Sequence, residues 1–232
     1  MLPRLVRLEK IIGKDNIEYL SKKCVLVLGV GGVGGYVVES LARSGIGKII
    51  IVDFDTIDES NINRQIIALT STIGMKKVDV LESRIKEINP NCVVVKNSNF
   101  IDENNFNNLF DQEIDFFVDA CDTVAVKKMI IKKCTEDNIP FISSMGTGNK
   151  LDPSKLDIMD IRKTVNDPLA RILRKYVKEK RIHKKVMVCS STELPARVGT
   201  RTPGSSAFVP ASAGLLIGSY IIQYFMNTNE KK

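Results

Sequence analysis

Cys24-Val25-Leu26-Val27-Leu28-Gly29-Val30-Gly31-Gly32-Val33-Gly34 is the stretch that decides the fold. Five apolar residues without polar alternation read as a strand buried on both faces. Glycine at 29, 31, 32 and 34 reads as a tight turn into a helix, offering backbone N–H groups to an anion at the helix N-terminus. That helix, Val33 to Ser44, stops at Gly45 and Gly47. Ile49-Ile50-Ile51-Val52 is a second buried strand, and it ends on Asp53-Phe54-Asp55. A carboxylate about 20 positions beyond the glycine turn is placed to meet a ribose hydroxyl. The unit is βαβ, and its strands should be parallel.

The alternation continues outward. A helix is expected from about Gly74 to Ile88, a strand over Cys92 to Lys96, and a weak, Asn-rich surface helix over Asp102 to Phe110. Ile114 to Val118 is a fourth strand, Val124 to Asp137 a helix, and Phe141 to Ser144 a short strand. This order predicts an α/β, doubly wound, mostly parallel sheet of Rossmann type. On the N-terminal side, Leu5, Leu8, Ile11, Ile12, Ile17 and Leu20 predict one or two short amphipathic helices. Beyond Met145, Leu156 to Ile161 alternates like an edge strand, and Asp167-Pro168 opens a helix through Lys180. Val186 to Cys189 returns as a strand, and Ser190 to Pro203 is a polar loop expected to be mobile. The 232 residues are expected to form one domain. Within it lie N-terminal helices (1–22), a nucleotide-binding core (23–148), a basic insertion lobe and loop (149–203), and a closing strand and helix (204–227).

Composition narrows the function classes. Hydrophobic residues make up 44% of the chain, as in a soluble globular protein. Phe208 to Met226 carries no charge and approaches the ~20 residues that span a bilayer. Pro210, Ser212, Gly214, Ser219 and Gln223 dilute it, so a buried core helix is favoured over a membrane span. Met1 to Gly13 is charged rather than continuously apolar, and the five cysteines form no C-x-x-C pair. Both features fit a cytoplasmic chain with reduced thiols and no cysteine zinc site. Cys189 is a candidate reactive thiol, with a small buried hydrophobe as the competing reading. The net charge of +7 is concentrated between residues 171 and 185, where Arg171, Arg174, Lys175 and Lys178 fall on one predicted helix. Such a run is either a solvated face or a surface for a polyanion such as RNA.

A glycine turn of this type most commonly binds a nicotinamide or flavin dinucleotide. Here Arg64 and Lys77 follow Asp53 and Asp55, and two cations downstream of a ribose carboxylate suit a triphosphate. No G-x-x-x-x-G-K-[ST] loop exists, which argues against a standard phosphoryl-transfer NTPase.

Five motifs occur in order: Gly29 to Gly34, Asp53-Phe54-Asp55, Ser60-Asn61-Ile62-Asn63-Arg64-Gln65, Gly74-Met75-Lys76-Lys77-Val78 and Asp119-Ala120-Cys121-Asp122. Together they resemble the adenylating fold shared by ubiquitin-activating enzymes and the bacterial activators of sulfur-carrier proteins. Pro140 to Gly146, Gly148 to Pro153, Asp167 to Ala170, Val188 to Glu193 and Phe208 to Pro210 extend the likeness to the branch that acts on tRNA, the threonylcarbamoyladenosine dehydratases. The resemblance implies ATP and Mg2+ as cofactors. It implies nucleotide contacts from Gly29, Gly31, Gly32, Gly34, Asp53, Asp55, Asn61, Arg64, Gln65 and Lys77. Arg64, Lys77 and Asp122 would be the catalytic set, with Asp122 on magnesium, and Arg7 would reach ATP in the partner subunit of a homodimer. The implied partner is threonylcarbamoylated tRNA, with a sulfur-transfer partner protein left open and no membrane. Two other readings stay open: adenylation of the C-terminal glycine of a sulfur carrier, and a non-catalytic subunit of a heterodimeric activating complex.

Overall fold

A computed structural model describes residues 3–199 and 202–229. Of the expected polar loop, Thr200 and Arg201 therefore lie outside the described residues.

Two short helices, α1 (Val6–Ile12) and α2 (Lys14–Leu20), precede β1 (Cys24–Leu28), α3 (Gly34–Arg43) and β2 (Lys48–Val52). Then come α4 (Lys77–Ile88), β3 (Val93–Asn97), β4 (Phe116–Asp119), α5 (Val124–Glu136) and β5 (Phe141–Ser144). The chain ends with β6 (Leu156–Asp160), α6 (Pro168–Glu179), β7 (Met187–Ser191) and α7 (Phe208–Asn229). The seven strands form one sheet in the order β3-β2-β1-β4-β5-β7-β6. All neighbouring pairs are parallel except β6 with β7. β1 is buried along its whole length between β2 and β4. Each such aliphatic side chain contributes ~1.5–3 kcal/mol by leaving water.

One core lies between the sheet and α3, α4 and α7; the other lies under α5 and α6. α7 is long and apolar enough to cross a membrane, but Val209 is buried and Ala213, Ile217, Ile221 and Phe225 pack in the first core. Gly214 and Gly218 let it lie directly on α3, since a Cβ there would meet Val33 O at 2.4 Å and Ser40 Oγ at 1.9 Å.

Four expectations change. α4 begins at Lys77 rather than Gly74, because Gly74 sits in a turn at φ +83° and a Thr56–Lys76 bridge holds Lys76 extended. The expected helix over 102–110 shrinks to a 3-10 turn, Phe106–Phe110. Asp102 Oδ1 accepts from the backbone N–H of Asn104, and Asn105 Nδ2 donates to Phe100 O, so side chains compete for the groups a helix would use. No strand forms over 204–207. The basic segment is joined to the main sheet: β7 pairs with β5, and Ala170, Leu173 and Val177 of α6 complete the second core.

Candidate active site

The strand order reverses between β1 and β4, since β1 leads to β2 on one side and β4 to β5 on the other. Ligands of open α/β sheets bind beyond the strand C-termini at such a point. Here a cavity of about 330 Å³ opens there, lined by the glycine turn, Asp53 to Asp55, Asn61, Arg64, Gln65, Lys77 and the segment Ala120 to Thr123.

Gly29 and Gly34 build the turn, and Gly29, Gly31 and Gly32 line the cavity. Gly29 has φ +83°, and a Cβ on it would lie 2.7 Å from Ala120 O, so β1 and β4 could not approach. A Cβ on Gly34 would sit 1.8 Å from Gly29 O, blocking the helix start. Gly31 and Gly32 line the cavity beside Gln65 and Arg64.

The carboxylate of Asp53 organises this turn. Oδ2 accepts from Val30 N at 2.8 Å and Oδ1 from Asp55 N at 2.9 Å, which fixes the group at the cavity edge. Lys77, at the start of α4, is buried and pairs with Asp55 at 2.6 Å. Arg64 Nη1 donates to Ser60 O and Asn63 Oδ1, both at 2.8 Å, so its guanidinium is held by its own 3-10 turn. Asn61 is buried in a capping box, accepting from Asp58 N. Gln65 Oε1 is buried without a protein partner, which suits a residue that meets a ligand.

Beneath the cavity floor Asp119 and Lys127 are both fully buried and pair at 3.0 Å. Lys127 Nζ also donates to Ser144 O, Ser143 Oγ to Asp119 Oδ2, and Cys121 Sγ to Asp119 Oδ1. This network ties β4 to β5 and fixes the Ala120–Asp122 segment above it. Asp122 is exposed at the cavity, with only a 3.5 Å contact from Thr123 Oγ1 to its carboxylate. No cluster of three metal-ligating side chains exists among the described residues. A magnesium ion fits such a site through one carboxylate plus nucleotide phosphates and water.

A sequence profile of the ThiF family matches residues 2–232. The chain belongs to the ThiF family. It is similar to the tRNA threonylcarbamoyladenosine dehydratase of Bacillus subtilis, 41% identical over 249 residues covering 100% of this chain and 98% of that protein. The Escherichia coli protein of the same name is 35% identical over 169 residues, 73% of this chain and 63% of its own length. By structure the likeness is wider: the crystal structure of that E. coli dehydratase, TcdA, in complex with ATP matches with a TM-score of 0.93 at 30% identity. The match covers 99% of this chain and 96% of that one. The E. coli molybdopterin-synthase adenylyltransferase is a more distant relative, 31% identical over 129 residues, 56% of this chain and 51% of that protein.

Around this ThiF-family cavity the structure gathers nearly all of the expected residues. Gly34 lies behind it, and Arg7, exposed on α1, lies outside the cavity. Phe54, Phe100, Thr147, Ser205 and Pro210 line it without having been singled out. Phe54 and Phe100 form an edge-to-face pair at 5.0 Å, and an exposed aromatic beside Asp53 is the signal that could have marked them. Ser205 arrives from 140 positions beyond Gln65, held by Asn63 Nδ2 donating to its carbonyl at 2.9 Å. Cys189 is the buried hydrophobe of the two readings: burial, then Asp157, push its thiol up to about 12. All five cysteines are free thiols.

Proposed function

We infer that this ThiF-family chain is an ATP-dependent tRNA threonylcarbamoyladenosine dehydratase. The observation that carries the reading is a single cavity in which two cations, a ribose-type carboxylate and an unpaired Asp122 surround the glycine turn. Its support from relatives is the dehydratase likeness over the full chain, against a carrier-activator likeness over about half of it.

The residues act as follows. Asp53, already oriented by the turn, takes the ribose hydroxyls, and the N–H groups of Gly31 and Gly32 face the phosphates. Asn61, Arg64 and Gln65 hold the phosphate chain, and Asp55 keeps Lys77 aimed at it. The threonyl carboxylate of the modified adenosine attacks the α-phosphorus; a P–O bond forms to it and the bond to the leaving pyrophosphate breaks. Arg64 and Lys77 offset the charge that builds on the phosphates. The carbamoyl group next to the activated carbonyl closes a ring, losing a proton, and AMP leaves with the former carboxylate oxygen. The tRNA thus loses one water overall. An intramolecular nucleophile reaches high effective molarity, so no enzyme thioester is needed. Magnesium, when bound by Asp122, supplies Lewis-acid stabilisation of phosphate charge.

Arg7, which does not line the cavity of its own chain, is read as completing the cavity of a second copy in a homodimer. A tRNA substrate fits a cytoplasmic enzyme, and a sulfur-transfer protein is its further proposed partner.

The test is AMP release from radiolabelled ATP. Threonylcarbamoylated tRNA should drive one AMP per modified nucleoside, and unmodified tRNA none. Release driven instead by a ubiquitin-like sulfur carrier would sink the reading in favour of the activator alternative. Mixing an Arg7→Ala protein with an Asp122→Ala protein should restore part of the activity each lacks; no restoration would exclude sharing between protomers.

A further inference from the structure

A second concavity, about 670 Å³, lies along α6 and the turn after it. Arg162, Arg171, Arg174, Lys175, Lys178 and Arg181 line it over an apolar floor of Val177 and Ile182, and no carboxylate does. Positions 171, 174, 175 and 178 share one helix face, while Ala170, Leu173 and Val177 are buried.

These cations differ in freedom. Arg174 is committed to the fold, donating from Nη1 to Thr164 O and to Thr164 Oγ1. Arg162 pairs with Asp160 and donates to the carbonyls of Ile182 and Lys184. Lys175 has only a 3.7 Å pair with Glu179, both side chains being exposed. Arg171, Lys178 and Arg181 are exposed in the groove.

Two features set this apart from an ordinary solvated helix face. Cations favour the C-terminal turn of a helix, yet Arg171 stands at the fourth helical position, where the dipole gives it nothing. Arg181 holds φ +51°, capping α6 through Ile182 N to Val177 O. Glycine is the ordinary residue at such a cap, and among the described residues the other three with positive φ that are not glycine are asparagines. A long cation kept in this strained place is directed into the groove.

α6 also starts beside the active site. Asp167 caps it through Ala170 N at 2.8 Å and accepts from Gly146 N at 3.0 Å, while Thr147 lines the nucleotide cavity. Lys150, buried, bonds Gly146 O and pairs with Asp167 at 3.4 Å, locking that junction. At ~1.5 Å per residue the cations run about 16 Å away from the cap.

We propose that this groove binds the phosphate backbone of the RNA whose modified adenosine occupies the adenylation cavity. Arg171, Lys175, Lys178 and Arg181 are the contacts; Arg174 and Arg162 shape the groove without making them. The proposal rests on the tRNA substrate inferred above. An anionic chain leaving the cavity finds exposed cations along α6, and an interface of this kind gains affinity by releasing counterions.

The experiment measures tRNA affinity across salt concentrations for the full-length protein. Neutralising Arg171, Lys175 and Lys178 together to Gln should weaken binding roughly tenfold or more near 100 mM salt and flatten the salt dependence by about two to three units of slope. KM for tRNA should rise and KM for ATP should not. A control with Lys10, Lys14 and Lys22 changed to Gln should bind as wild type. Arg181→Gly separates structure from binding: it should raise the unfolding midpoint by about 2 °C while weakening tRNA binding. Unchanged affinity and slope in the triple variant, or equal losses in the control, would overturn the proposal. Retained tRNA affinity with lost binding of polyglutamate would overturn it too, assigning the groove to an acidic protein. If wild type binds tRNA through these residues but never dehydrates it, the functional reading fails and the groove stands.

Discussion

The half of the sheet around β1 and β4 and the half around β6 and β7 both present cations, and they hold them by opposite means. Near the nucleotide cavity Lys77 is buried against Asp55 and Lys127 is fully buried against Asp119. Along α6 Arg171, Lys175 and Lys178 are exposed, and the one ion pair among them, Lys175 with Glu179, is long and solvated. A buried pair costs desolvation but fixes a charge within a fraction of an ångström; an exposed cation costs little and positions nothing. Adenylation needs the first arrangement, because charge must already be in place when it develops on the phosphates. Capture of a long polyanion needs only the second.

Breaking the buried side of this contrast should have the largest effect. Lys127→Met leaves the buried Asp119 without its cationic partner, which should cost about 3–5 kcal/mol in denaturant unfolding. Lys175→Met on α6 should shift stability by less than about 0.5 kcal/mol. Similar values for the two would dissolve the distinction. Arg64→Ala should lower kcat/KM for modified tRNA by about 10²–10³-fold with an unchanged melting curve, whereas full activity would remove Arg64 from the site. Asp122→Asn should fall by a similar factor and shift the magnesium titration to higher concentration; an unaltered titration would place the ion elsewhere.

A smaller effect tests a pair outside both regions. Burial alone would raise the Glu39 carboxyl, but hydrogen bonds from Arg84 and Arg43 outweigh it and hold it below the usual range. A depressed carboxylate stabilises the fold above its unfolded value, about 4.3, and that contribution disappears as pH falls through the folded value. Glu39→Gln should therefore cost about 1–3 kcal/mol at pH 7, with the gap to wild type closing below about pH 4. A constant gap from pH 7 to 3 would contradict this. Smallest of all, Cys189→Ala should leave dehydration unchanged and resist no oxidant that spares the wild type, since the thiol is buried.

Much of the nucleotide half was legible because its signals are local. Gly29 to Gly34, Asp53 and Arg64 lie within about forty residues, and their spacing is dictated by a turn and a single crossover. Asp119 could be read as structural for the same reason, at the end of an apolar strand. Lys127 could not: in the sequence it sits beside Lys128 on an ordinary helix, and only the packing of α5 over β4 reveals its complete burial. Ser205 and Thr147 were invisible, and Pro210 was legible as part of a motif but not as a cavity residue, because they join the cavity through long-range contacts. On α6 the basic face was plain from spacing, but charge alone did not tell which residue was spoken for. Arg174 looked like its neighbours until its bonds to Thr164 were seen, while Arg181 gained its place from backbone conformation.

Mass spectrometry tests the central claim most directly. The protein is incubated with ATP, magnesium and threonylcarbamoylated tRNA, and the digested nucleosides are then weighed. The account predicts a modified adenosine lighter by one water, formed only with ATP and lost in Arg64→Ala and Asp122→Asn. An unchanged nucleoside mass with fully folded wild-type protein would contradict it.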